Sequence, residues 1–92
     1  PIKSDFIDFV LISNTLFQCE NKIGLLKEAY KILRFGGKMA VIEWDDSPSP
    51  LGPPAGMRVD KEKLKDACGK INFKFFREFP AGSHHYGLLF KK

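Results

Sequence analysis

The chain has 92 residues, 43% of them hydrophobic and nine of them Phe, and a formal net charge of +4. At this length it makes one small domain, which buries only about 60 to 65% of its unfolded surface. The composition builds a core and excludes intrinsic disorder.

The charge is uneven. Residues 1–56 carry six Lys/Arg against seven Asp/Glu, whereas residues 57–92 carry nine against four. The basic excess of the last third is dispersed as single residues (Lys61, Lys63, Lys65, Lys70, Lys74), the pattern of a solvated face rather than of a nucleic-acid or membrane patch. Cys19 and Cys68 are too few and too far apart for a metal framework, so reduced thiols in a cytoplasmic protein are expected. No apolar run reaches the roughly 18 to 20 residues of a membrane-spanning helix, because residues 6–17 are interrupted by Asp8, Ser13, Asn14 and Thr15.

In chain order, residues 6–12 form a nearly continuous apolar run rich in β-branched and aromatic residues, the pattern of a parallel strand covered on both faces. Asn21 is placed to cap a helix in which Ile23, Leu26, Tyr30 and Leu33 share a stripe widened by Ala29. Gly36 and Gly37 are expected to end that helix in a left-handed turn, and residues 39–44 form a second strand, giving a right-handed β-α-β crossover. Residues 47–54 hold four prolines and read as a stiff loop. Asp60 begins a second helix with Leu64, Ala67, Cys68 and Ile71 on one face. Two aromatic-rich runs follow, 73–79 and 86–90, whose connection is too short for a crossover helix, so they are expected to form an antiparallel hairpin.

The joint Ile32-Leu33-Arg34-Phe35-Gly36-Gly37 resembles the V-L-K-P-G-G segment of class I S-adenosylmethionine-dependent methyltransferases, with Phe35 where Pro is usual. The closing hairpin resembles the same family, whose sheet ends in an antiparallel strand slipped between its fifth and sixth strands. Glu43-Trp44, Gly52-Pro53-Pro54, Arg58 and His85-Tyr86-Gly87 are similar to its ubiquinone- or menaquinone-biosynthesis-like (type 11) subgroup. Gly69-Lys70-Ile71-Asn72-Phe73 departs from the family's usual Gly-Phe. The resemblance implies an α/β fold, the C-terminal half of a Rossmann-like methyltransferase sheet. Residues 1–92 then form a partial domain running from the family's fourth strand to its seventh. The cofactor-binding N-terminal half, with its glycine-rich loop and ribose-binding acid, is absent; Gly36-Gly37 follows a helix and is no substitute, and Asp45 and Asp46 lack the preceding glycine turn.

The resemblance further implies that Ser13, Asn14 and Leu16 contact the cofactor's methionine part in the intact parent, and that this chain alone binds S-adenosylmethionine weakly and is inactive. In open α/β sheets ligands sit beyond the carboxyl ends of the strands, which nominates Trp44, Arg58, His84 and His85 for a small or lipid-like acceptor, all converging with Asn14 and Leu16 on one cleft. Each also has a plain structural reading: Asn14 as a turn residue, Trp44 as half-buried core, Arg58 as a loop cation, His84 and His85 as hairpin surface. A metal pair at His84-His85 is disfavoured, since adjacent strand residues face opposite ways, and no catalytic residue is nominated. The contrasting reading is a non-catalytic α/β module that binds a partner through its sheet edge or its basic C-terminal third. With the family's first strand missing, the edge at residues 6–12 is left unpaired, and self-association through it is expected. Base-modifying relatives carry an Asn/Asp-Pro-Pro-aromatic motif where Ser13-Asn14-Thr15-Leu16 stands here, which argues against a nucleic-acid substrate.

Overall fold

The computed structural model describes residues 5–47 and 51–92. Its strands are β1 (Ile7–Ser13), β2 (Leu33–Trp44), β3 (Lys74–Pro80) and β4 (His85–Lys91), and its helices are α1 (Lys22–Ile32) and α2 (Lys61–Lys70). The sheet order is β1-β2-β4-β3. β1 and β2 run parallel, with Val10 opposite Met39 and Ile12 opposite Val41. β4 lies antiparallel between β2 and β3, the placement that the methyltransferase resemblance implies.

Each helix starts where its cap residue allows. The Asn21 side chain accepts from the Gly24 N–H at 2.8 Å and that of Asp60 from the Lys63 N–H at 2.9 Å, satisfying amides that would otherwise lack partners. Leu26 and Ala29 from α1, and Leu64 and Cys68 from α2, pack with Met39, Val41, Leu88 and Phe90 in one core. Both helices therefore cover the same face of the sheet. On the opposite side Phe9 and Leu11 are 52% and 58% exposed.

One local expectation is corrected. Gly36 and Gly37 do not end α1; the helix closes at Ile32, and Leu33 is already extended (φ −71°, ψ 136°). The glycines lie inside β2, where the register with β1 jumps from Ile7 opposite Leu33 to Phe9 opposite Lys38. The surplus residues bulge out. Gly36 takes φ +82°, and a Cβ on Gly37 would stand 2.8 Å from the Arg34 carbonyl oxygen and 3.1 Å from that of Asp8. Glycine is required there by close backbone approach, not by a helix cap. At the end of α2, Asn72 supplies the left-handed residue (φ 89°), and the Phe73 N–H returns to the Cys68 carbonyl at 3.0 Å. The insertion relative to Gly-Phe is thus absorbed in a helix C-terminal turn whose left-handed position is held by Asn.

Candidate functional site

The carboxyl end of β2 sets Trp44 opposite His85 at the start of β4. Their rings stack with centroids 4.2 Å apart and planes tilted by 40°. Gly52, at φ +81°, lies so close to the indole that a Cβ there would come within 2.7 Å of it. Trp44 is therefore held in the wall of a cleft of about 490 Å³ that also includes Asp45, Asp46, Arg58, His85 and Tyr86.

Arg58 fixes the loop above this wall. Its Nε–H donates to the Pro53 carbonyl at 3.0 Å, its Nη1 to the Asp45 and Ser47 carbonyls at 2.7 and 2.9 Å, and its Nη2 to the Leu51 carbonyl at 3.3 Å. A guanidinium presents five N–H donors in a rigid fork, and most of them are taken by backbone. Its carbon stands 5.9 Å from the indole centroid. Arg58 is thus a latch between the loop and the cleft.

His84 enters through a chain of side chains that its sequence position does not reveal. The Ser47 hydroxyl donates to the Asp45 carboxylate and stands 3.0 Å from His84 Nδ1, so the imidazole donates to it through Nδ1–H. The Ser47 hydroxyl, and then its backbone N–H at 2.9 Å, keep the Asp45 carboxyl below its ordinary pKa. This is not a serine nucleophile, because the hydroxyl proton faces a carboxylate rather than an imidazole acceptor. The chain ties the end of β2 to the β3–β4 turn, as does the Asp45 N–H on the His84 carbonyl at 2.8 Å. Tyr86, buried beside it, donates its hydroxyl to the Val59 carbonyl at 2.7 Å, and burial pushes its phenol pKa up.

Ser13, Asn14 and Leu16 lie apart from this cleft, at the carboxyl end of β1. Asn14 takes a left-handed φ of 53°, its N–H donates to the Ile42 carbonyl at 2.8 Å, and its Oδ1 is buried without a partner. The fully buried Leu16 donates its N–H to Glu43 Oε2 at 2.9 Å and lines a second, more apolar groove of about 520 Å³ between α1 and α2. The expected single cleft is therefore two neighbouring ones. Glu43, which the sequence reading did not nominate, is fully buried. Burial raises its carboxyl pKa against the pull of backbone amides and of Lys22, and Oε1 has no partner. The signal was present in the alternation of Met39, Val41 and Glu43, which puts a carboxylate on the core side. Among the described residues, no group of three or more His, Cys, Asp or Glu is placed to hold a metal ion.

No family model matches the chain, and no curated protein matches it. Solved structures do. A protein assigned as a type 11 methyltransferase from Sulfolobus solfataricus matches with a TM-score of 0.88 and 26% identity, over 99% of this chain and 53% of that one. A SAM-dependent methyltransferase from Aquifex aeolicus matches with a TM-score of 0.88 and 17% identity, over 98% and 48%. Another from Archaeoglobus fulgidus gives 0.74 and 16%, over 99% and 62%. The chain spans about half the length of the first two. These neighbours are class I methyltransferases, and the fold seen here is that of the C-terminal half of their domain.

S-adenosylmethionine fits the residues present only in part. The unpartnered Asn14 Oδ1 is an acceptor suited to an ammonium or amide donor. No glycine-rich strand-to-helix turn occurs within the 92 residues to receive the rest of the molecule.

Proposed function

We propose that this chain is part of a S-adenosylmethionine-dependent methyltransferase and contributes the acceptor side of its active site. The observation that carries the reading is the antiparallel β4 lodged between β2 and β3 beside a parallel β1–β2 pair, in a chain that follows a methyltransferase at a TM-score of 0.88 along 99% of its length. When bound, the cofactor supplies an activated methyl group on a sulfonium. Ser13, Asn14 and Leu16 would face its methionine part, with the Glu43 carboxylate holding the Leu16 turn. Trp44 and His85 would shape the cleft for a small or lipid-like acceptor, with Arg58 holding the loop over it and His84, bonded to Ser47, holding the β3–β4 turn beside it. The ubiquinone- or menaquinone-like subgroup is the finer assignment that Glu43-Trp44, Gly52-Pro53-Pro54 and His85-Tyr86-Gly87 favour. Alignment of the acceptor, not a dedicated base, is the contribution asked of these residues.

The 92-residue chain alone is expected to bind S-adenosylmethionine only at millimolar concentration or above, roughly −4 kcal/mol or weaker, and to be inactive. Titration calorimetry checks the first point, and transfer of labelled methyl by a longer protein that includes upstream sequence checks the reading as a whole. Micromolar binding by the short chain would contradict the division of the site proposed here, and absence of transfer by the longer protein would contradict the activity.

A second reading is favoured by β1. Phe9 and Leu11 are 52% and 58% exposed on the edge strand β1, and Phe6 just before it is 68% exposed, which suits a non-catalytic module that pairs with a partner through that edge. Self-association through the same edge is part of our proposal under both readings.

A further inference from the structure

The sheet has two unlike faces. Met39 and Val41 of β2, and Leu88 and Phe90 of β4, turn inward under the helices, so the residues that alternate with them turn to the other face. There the pairing sets Lys38 of β2 opposite Lys91 of β4, and Lys91 opposite Lys74 of β3. Three lysines thus stand side by side across three strands, about 5 Å from one strand to the next. The following rung is Ala40, Leu89 and Arg77. In the sequence these cations are scattered singles, and only the strand order joins them.

Their charge is uncompensated. Among the described residues none of Lys38, Lys74, Arg77 and Lys91 takes part in an ion pair, and no acid of β2, β3 or β4 shares their face. β4 has none, and the acids of β2 and β3 point the other way, Glu43 into the core and Glu78 to Lys61 of α2. Like charges directly opposite one another destabilise a sheet.

The rest of this face is apolar. Phe76 is 56% exposed and has the Lys38 ammonium over its ring at 5.9 Å, Leu89 and Ile42 are half-buried, and Phe79 lies against Gly87. A parallel pair such as β1–β2 is ordinarily covered by helices on both faces, and here helices cover one. The helix suited to the other carries an apolar stripe at i, i+3, i+4 and i+7 and acids at the end that reaches the lysine row. From Lys38 to Ile42 the strand rises about 13 Å, the length of roughly nine helical residues. The same face of a second copy would bring lysines against lysines.

We infer that the open face of β2, β4 and β3 docks an amphipathic helix of a partner protein, whose acids neutralise the Lys38–Lys91–Lys74 row. This face stops short of the cleft beside Trp44, so docking here is independent of what that cleft accepts.

Fluorescence anisotropy of labelled helical peptides of about 18 residues tests it. One carries a leucine stripe and a first turn of Glu; a second has Lys in place of the Glu, and a third has Ser in place of the leucines. At low salt the 92-residue chain is expected to bind the acidic striped peptide about tenfold more tightly than either relative. Lys38→Gln combined with Lys91→Gln is expected to remove the preference for acid and to raise the urea midpoint of the free chain, because it relieves opposed charge. Phe76→Ser, at an exposed position, is expected to weaken both striped peptides about threefold or more. Equal affinity for the acidic and basic peptides, equally tight binding without the stripe, or an acid preference untouched by the lysine substitutions would each overturn the inference. So would failure to bind the acidic striped peptide: cosedimentation of the chain with phosphatidylserine vesicles would then give the face to a lipid surface, and self-association dispersed by Phe76→Ser would give it to a second copy.

Discussion

Glu43 stands where the alternation of β2 demands an apolar side chain, between Val41 and the strand end, and it is fully buried. Its Oε2 accepts the Leu16 N–H, so the carboxylate pins the turn after β1 at a cost in desolvation that raises its own pKa. An acid whose folded pKa exceeds its unfolded value, near 4.3, keeps a proton in the folded state over a pH range where the unfolded chain has lost it. Stability therefore falls as pH rises through that range, by at most about 1.4 kcal/mol per pH unit for one proton, and stays lower above it. Urea unfolding from pH 4 to 8 should show this decline in the native chain, and Glu43→Gln should flatten it. An unchanged slope in the variant would assign the decline to other groups. The identity of Glu43 as a core residue was legible in the period-2 pattern of 39–44; its partner was not, because Leu16 lies 27 residues away. The Arg58 latch was hidden for the same reason. Its acceptors are loop carbonyls, which carry no side-chain signature.

Among elements, the helices were the most readable, since a cap residue and a stripe of apolar positions mark them locally: α1 and α2 begin after Asn21 and Asp60 as the sequence suggests. The joint between α1 and β2 was misread. A glycine pair after a helical stripe usually signals a left-handed cap, but here α1 passes directly into an extended Leu33 and the glycines serve a register jump against β1. Only the pairing partner reveals that. Gly37→Ala tests the revised role: its Cβ would meet backbone oxygens that cannot move aside cheaply, and a loss of about 1 to 3 kcal/mol is expected in chemical denaturation. Loss within about 0.5 kcal/mol, the ordinary surface range, would mean the bulge relaxes. Asn72 offers the complementary case at the end of α2. At φ 89° it pays the left-handed cost that glycine avoids, so Asn72→Gly should be neutral or stabilise slightly, whereas Asn72→Ala should cost roughly 1 kcal/mol.

At the scale of the whole molecule, residue patterns alone gave strands and helices but no strand order; the order β1-β2-β4-β3 was anticipated only through the methyltransferase resemblance. That order leaves β1 at an edge, paired on one side with β2, its free side flanked by a groove of about 290 Å³ that Val10, Leu11, Leu25 and Ile32 help to line. An edge strand presents a row of unpaired N–H and C=O groups, and natural sheets protect such edges with Lys, Pro or bulges. β1 has no Lys or Pro, and its one register irregularity faces β2, not the open side. A second copy is the simplest occupant, because two such strands related by a two-fold axis pair antiparallel and continue the sheet, with Phe9 and Leu11 of each copy covered in the contact. The isolated chain should therefore scatter light as a dimer at about 100 μM, well above the micromolar dissociation constants of ordinary weak interfaces. Leu11→Lys, at a position 58% exposed and so harmless to the monomer's core, should return it to a monomer with an unchanged circular dichroism spectrum. A native chain that is already monomeric at that concentration, or a Leu11→Lys variant that remains dimeric, would show that β1 does not form the contact.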